Sequence, residues 1–114
     1  MKTGFYTNPI YLEHDTGSHP ENANRLRAIQ DLLISDGLVK NLEVQEGRFA
    51  TPAEIQMLHT EKLVSEIEFA SNSGVKTLHT PDCIVSPQTF TAASHAVGSV
   101  LDAVVEVADF VRRL

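Results

Sequence analysis

The chain has 114 residues, of which 42% are hydrophobic and 21% are charged, a composition typical of a globular domain and unlike that of disordered or fibrous proteins. The net charge of −6 argues against a broad basic surface, so no nucleic-acid partner is predicted. The single cysteine, Cys83, cannot form an intramolecular disulfide, and no apolar run for a signal peptide or membrane span follows the N-terminus, which predicts a cytoplasmic protein without a membrane partner.

The first third of the chain predicts a strand, a loop and a helix. Residues 2–6 are β-prone and are followed by turn-forming residues, which predicts a short strand and then a loop to about His19. Pro20 suits the first position of a helix, and Asp36-Gly37 is a typical helix stop. Between them lies one apolar stripe, which consists of Leu26, Ile29, Leu32 and Leu33.

The middle of the chain predicts a second strand and two helices. Alternating apolar and polar residues at 42–45 are typical of a strand. Thr51, Pro52 and Glu54 have the pattern of a capping box, which predicts a short helix running to His59. Apolar residues then share one face over residues 63–71, and a second helix is predicted there, closed by residues 72–74.

The last part of the chain predicts its longest helix, from Ser86-Pro87 to about Arg113. Apolar residues occupy two faces of this helix, so it requires cover on both sides. Two predicted strands offer little sheet for that purpose, which suggests an incomplete domain. The first face carries Phe90, Ala93, Val97, Leu101, Val104, Ala108 and Val111, and the second carries Ala92, Ala96, Val100 and Val107.

Three motifs occur in an informative order. Residues 14–26 read HDTGSHPENANRL and contain an HPE triplet followed by Arg25-Leu26. Residues 53–60 combine a short helix with a Leu-His-Thr ending. Residues 82–98 follow the pattern D-x-x-x-S-x-x-T-x-x-A-A-x-x-A-x-G. Together these segments resemble the histone deacetylase family, and the resemblance extends from Phe5 to about Val107.

The resemblance implies an α/β protein with the N-terminal portion of the arginase/deacetylase three-layer α/β/α fold and a parallel sheet. It also implies zinc-dependent hydrolysis of acetyl-lysine or acetylpolyamine amides in the complete domain. The metal ligands and the catalytic histidine pair of the family have no counterpart in these residues. Residues 1–114 are therefore interpreted as the N-terminal segment of such a domain, inactive alone, with no catalytic residue and no cofactor of its own.

The resemblance also implies roles for four residues. Asp82 corresponds to the carboxylate at the rim of the substrate tunnel, which orients the acetylated side chain; its alternative is a turn or capping residue. Arg25 corresponds to an arginine beside an internal channel linked to acetate release, and it could equally stabilise the first loop. His14 and His19 are assigned to that loop, which supports the tunnel wall.

The histidines do not have the spacing of a metal site. No H-x-x-x-H pair occurs, and Cys83 has no zinc-finger partner, so no metal ligand is assigned. Two hypotheses about partners remain open. The chain is a segment of a deacetylase that meets acetylated lysine or polyamine only when a complementing part is present. Alternatively, it is a non-catalytic interaction module that docks on a partner, or on itself, through its apolar C-terminal helix.

Overall fold

Residues 2–114 form four short strands and four α-helices in an α/β arrangement. The computed structural model describes residues 2–114. Within them the elements follow the order β1 (Thr3–Tyr6), α1 (Asn24–Ser35), β2 (Leu42–Gln45), α2 (Pro52–Gln56), α3 (Glu61–Ser73), β3 (Thr77–Leu78), β4 (Thr80–Ile84) and α4 (Thr89–Arg112). Short 3-10 helices occupy Pro9–Glu13 and Leu38–Asn41.

Strands β1 and β2 form a parallel pair connected through α1. Phe5 lies opposite Val44 in the register, and the Thr7 amide donates to the Gln45 carbonyl oxygen just beyond it, at 2.9 Å. Parallel neighbours require a crossover connection, which α1 supplies here. Both strands expected from the sequence are confirmed, and so is their parallel pairing.

Helix α1 begins at Asn24, four residues later than the sequence predicts. The Asn22 side chain accepts a hydrogen bond from the Asn24 amide at 2.9 Å and donates one to the His19 carbonyl oxygen at 2.9 Å. Such a side chain offers the backbone a turn that competes with helix. The predicted start at Pro20 is therefore wrong. The stop is confirmed, since Gly37 follows the helix in the left-handed conformation with φ 69°.

Helix α2 begins with the predicted capping box. The Thr51 hydroxyl accepts from the Glu54 amide at 3.2 Å, and the Glu54 carboxylate accepts from the Thr51 amide at 2.7 Å. The helix is shorter than expected and ends at Gln56. Helix α3 begins after Thr60, whose side chain accepts from the Leu63 amide, and closes at a left-handed Gly74.

Strands β3 and β4 form an antiparallel hairpin that the sequence did not predict. Thr77 pairs with Ile84, and Leu78 pairs with Thr80, so His79 alone makes the turn, with φ 61°. A histidine with positive φ is uncommon, and Pro81 within β4 is atypical of a strand. Neither feature is a recognisable hairpin signal, which explains the omission.

Helix α4 buries its small and polar side, and its apolar sides stay largely exposed. It starts at Thr89, slightly later than predicted. Its buried residues are Ala92, Ser94, His95, Gly98 and Ser99. In contrast, Val104 and Val107, one from each predicted apolar face, are 60% and 64% exposed. By length and hydropathy alone α4 would also pass as a membrane span, a test that core helices of water-soluble domains pass too.

Small residues let the loop before α2 pack directly on α4. The Ala50 amide donates to the Ser94 carbonyl oxygen at 3.0 Å. A Cβ atom at Gly98 would lie 2.0 Å from the Arg48 carbonyl oxygen, and one at Gly47 would lie 2.1 Å from the Ser99 hydroxyl. Backbone therefore meets backbone at this contact, in place of the apolar side-chain packing expected for α4.

Candidate functional site

A cavity of about 430 Å³ lies between the first loop, the start of α1 and strand β4. All four residues singled out from the sequence line it, although they are up to 68 positions apart (82 − 14). Their position in one cavity does not test the roles predicted for them. Its lining consists of Tyr11, His14, Thr16, His19, Glu21, Asn22, Ala23, Arg25, Leu26, Asp82, Cys83 and Ile84.

His19 and Asp82 are in direct contact at this cavity. His19 Nε2 lies 2.7 Å from Asp82 Oδ1, and the side chains are 22% and 88% exposed. The Glu21 amide donates to His19 Nδ1 at 3.1 Å. Nδ1 is thus an acceptor, and the ring proton belongs on Nε2, where it is donated to the carboxylate. The hydrogen bond to Asp82 raises the pKa of His19 above its ordinary 6.5.

Asp82 lies on a strand, whereas the sequence suggested a loop or a turn. It is the third residue of β4, directly before the exposed Cys83. Strand geometry gives its Cα a defined position, and the His19 contact restrains the end of the side chain. An exposed carboxylate restrained in this way can accept hydrogen bonds from a ligand that enters the cavity.

His14 ties the first loop to the start of α4. Its Nδ1 lies 2.8 Å from the Thr89 hydroxyl, which also accepts from the Ser86 amide at 2.8 Å. A hydroxyl can accept from an amide and donate to a ring nitrogen at the same time. The neighbouring Asp15 amide donates to the Ser86 hydroxyl at 3.0 Å. His14 therefore holds the loop in place, and its support of a tunnel wall stays a prediction.

Arg25 contributes an exposed guanidinium to the cavity lining. It lies in the first turn of α1, where its amide donates to the Asn22 carbonyl oxygen at 3.3 Å. A permanently charged, planar group at this wall suits an anion or a row of carbonyl oxygens. Its role in a channel stays a prediction.

A buried polar cluster beneath the cavity was missed in the sequence. The Tyr11 hydroxyl lies 2.9 Å from His95 Nδ1 and 2.6 Å from the Ser99 hydroxyl. His95 is 4% exposed, and its ring meets Tyr11 and Phe49 edge-on. The available signal was the spacing of His95 and Ser99, which are four residues apart and share one face of α4.

The described residues do not fit a zinc site. In residues 2–114, no group of three or more His, Cys, Asp or Glu side chains is arranged to hold a metal ion. His79 instead contacts Glu66 at 3.0 Å, and His59 lies on an exposed surface beside α3. The zinc implied by the family resemblance would need ligands from other residues.

Comparisons with known proteins agree with this fold. The family model of the histone deacetylase domain matches residues 19–113 of this chain. The crystal structure of the HDA15 HD domain superimposes with a TM-score of 0.76 at 28% identity, covering 89% of this chain and 29% of that chain. The predicted α/β deacetylase fold is thereby confirmed, with this chain forming an incomplete portion of it.

Curated relatives include histone deacetylases from plants and animals. Histone deacetylase 8 of Arabidopsis thaliana is 29% identical over 91 residues, which cover 80% of this chain and 24% of the relative. Human histone deacetylase 9 is 36% identical over 64 residues, 52% of this chain and 6% of the relative. The chain thus spans a quarter or less of the length of these relatives. With the family model matching most of its residues, the chain belongs to the histone deacetylase family.

Proposed function

We propose that this chain forms the substrate-entrance part of a zinc-dependent deacetylase domain acting on acetylated lysine or acetylpolyamine amides. The single observation that carries the proposal is the cavity lined jointly by His14, His19, Arg25 and Asp82. Zinc ligands and proton-transferring histidines would be supplied from outside residues 2–114. The proposal gives Asp82 the task of orienting the amide and assigns Arg25 to the internal channel or to support of the first loop.

The chemistry of the cavity supports an amide ligand with nearby positive charge. Asp82 offers a carboxylate to amide N–H groups, and Glu21 adds a second acidic side chain to the lining. The net charge of −6 favours cationic partners over nucleic acid. Cys83 is a free thiol, which fits the reducing cytoplasm that we propose as the location.

A graft into a complete relative tests this proposal. Residues 3–113 replace the matching segment of the HDA15 HD domain, and turnover of an acetyl-lysine reporter is measured. We expect zinc-dependent activity in the graft and none from the 114-residue chain alone. In the graft, Asp82→Ala should lower kcat/KM about ten- to hundredfold, because a loosely oriented amide rarely reaches the reacting geometry.

Matched measurements separate this effect from misfolding. Asp31→Ala, an exposed substitution on α1, serves as the control and should leave kcat/KM unchanged. Thermal melting of both variants should stay within a few degrees of the parent. Turnover by the isolated chain, or a folded graft whose kinetics ignore Asp82→Ala, would contradict the proposal.

A second candidate function is supported by the exposed valines of α4. In this alternative the chain is a non-catalytic module, and α4 docks on a partner that supplies the rest of the deacetylase fold. The large exposed apolar area on one helix supports it, because contiguous patches of this kind mark interaction sites. The two candidates differ in the graft, which should be active only if these residues still form a working entrance.

A further inference from the structure

The contact between His19 and Asp82 joins two distant parts of the chain. His19 lies in the first loop and Asp82 on β4, 63 residues later. The Asp82 side chain is 88% exposed and by itself would sample several rotamers in water. In residues 2–114, His19 is the side chain that contacts this carboxylate, and it uses Oδ1 alone.

The His19 ring is itself held on its opposite side. The Glu21 amide donates to Nδ1, and the adjacent peptide is braced by Asn22, whose side chain donates to the His19 carbonyl oxygen at 2.9 Å. A hydrogen bond at one ring nitrogen of histidine sets whether the other nitrogen carries the proton. The backbone donor on Nδ1 therefore selects the Nε2–H tautomer. The proton on Nε2 is then aimed at Asp82.

We infer that His19 is the positioning residue for Asp82: it fixes the carboxylate through Oδ1 and leaves Oδ2 to accept an amide N–H from the ligand. The inference rests on the proposed function for the identity of the ligand, and on the geometry alone for the positioning. Glu21, through its backbone amide, selects the tautomer. In this view His19, on the cavity wall, supports the ligand-binding carboxylate.

Two substitutions separate the two ends of the imidazole. Gln places an amide nitrogen near the position of Nε2, so His19→Gln preserves a donor for Asp82. Asn is shorter and places its carbonyl oxygen near the position of Nδ1, so His19→Asn preserves the acceptor for Glu21 and loses the donor for Asp82. A role confined to the loop predicts that Asn is the better replacement. The positioning role predicts that Gln is.

Nuclear magnetic resonance of the 114-residue chain, with Val104→Glu and Val111→Glu to reduce its self-association, tests the positioning without any ligand. At a pH above the raised pKa of His19, where the ring is neutral, long-range nitrogen–proton correlations should show the Nε2–H tautomer. Three-bond couplings to Asp82 Cγ should show one χ1 rotamer in the parent and in His19→Gln, and averaged rotamers in His19→Asn. His59→Gln, at an exposed histidine outside the cavity, serves as the control and should leave the Asp82 rotamer fixed. Dispersed amide spectra verify folding of each variant.

A ligand titration of the graft into the HDA15 HD domain, which supplies the rest of the domain, then tests the consequence for binding. The probe is Nε-acetyl-lysine with both ends blocked as amides, followed through the amide shifts of residues 82–84. We expect His19→Asn to weaken its binding on the order of fivefold, the value of one lost hydrogen bond, and His19→Gln to restore it. Averaged Asp82 rotamers in the parent, or equal rotamers in the Asn and Gln variants, would overturn the positioning role. A fixed Asp82 with no binding of the probe would support the positioning and contradict the proposed function.

Discussion

Gly98 of α4 lies so close to Arg48 that a Cβ atom there would be 2.0 Å from the Arg48 carbonyl oxygen. The Ala50 amide and the Phe49 carbonyl carbon are each 2.7 Å from the same point. All three are backbone atoms, which cannot turn away as a long side chain can. The loop at 47–50 can therefore pack directly on α4 only because Gly98 has no side chain.

Gly98→Ala should destabilise the chain even though alanine favours helix. Overpacking against backbone costs about 1–3 kcal/mol, and the helical preference for alanine returns about 1 kcal/mol. We expect a net loss, measured as a lower denaturant midpoint. Ala108→Gly, on the exposed part of α4, is the control and isolates the helix preference alone. A Gly98→Ala variant that is more stable than the parent would contradict this packing.

The salt bridge between Arg48 and Glu54 should make the free energy of unfolding depend on pH in the acid range. The hydrogen bonds from Arg48, and secondly from the Thr51 amide, lower the pKa of Glu54 to about 2 from 4.5. A carboxyl group whose pKa is lowered by folding stabilises the fold fully above pH 4.5, and this contribution is lost as the pH falls toward 2. Chemical unfolding between pH 2 and 5 should show a steeper loss in the parent than in Glu54→Gln. Parallel curves would refute the assignment.

His19 should show the opposite dependence on pH. Its hydrogen bond to Asp82 raises its pKa above 6.5, so its contribution to stability is complete below 6.5 and is lost as pH rises through the raised value. The groups facing it are Asp82 and Glu21, with Arg25 and His14 elsewhere on the cavity wall. In Asp82→Asn we expect the His19 pKa to fall toward 6.5, as followed by ring proton shifts. An unchanged titration would show that Asp82 is not the cause.

The hydroxyl of Tyr11 should couple energetically to Ser99. Tyr11→Phe removes hydrogen bonds to His95 and Ser99 and should cost about 1–2 kcal/mol. Ser99→Ala removes one of the same bonds. Because the two substitutions share that bond, the double variant should lose less than the sum of the single losses. Unfolding free energies of the four proteins give the coupling directly, and strict additivity would argue against a shared network.

The exposed valines of α4 should make the isolated chain self-associate. Val104, Val107 and Val111 are 60%, 64% and 59% exposed. Each large apolar side chain left in water forgoes about 1.5–3 kcal/mol of burial, a sizeable part of the roughly 5–15 kcal/mol that stabilises a domain. Size-exclusion chromatography should show oligomers, and fluorescence of a hydrophobic dye should show binding to the exposed side chains. Both signals should be reduced by Val104→Glu with Val111→Glu. Ser65→Glu with Asn72→Glu, at exposed positions of α3, is the charge-matched control. A sharp monomer peak without dye signal would show a self-sufficient domain.

The sequence alone determined the elements that depend on local interactions. The capping box at Thr51, the glycine stop at Gly37 and the alternation at 42–45 each involve residues within a few positions of one another, and each is where it was predicted. The order of the motifs also indicated the family. The predicted helix start at Pro20 was wrong, because the Asn22 side chain competes with the helix for backbone groups.

Only the tertiary structure decided which side of α4 is buried and which residues meet at the cavity. Periodicity marks apolar faces, but Gly98 and Ser99 are buried because the loop at 47–50 approaches them as backbone, a contact between segments about fifty residues apart. The pairing of His19 with Asp82 likewise depends on where β4 is placed relative to the first loop. Contacts of this separation arise from packing of the whole chain, and no short pattern in the sequence encodes them.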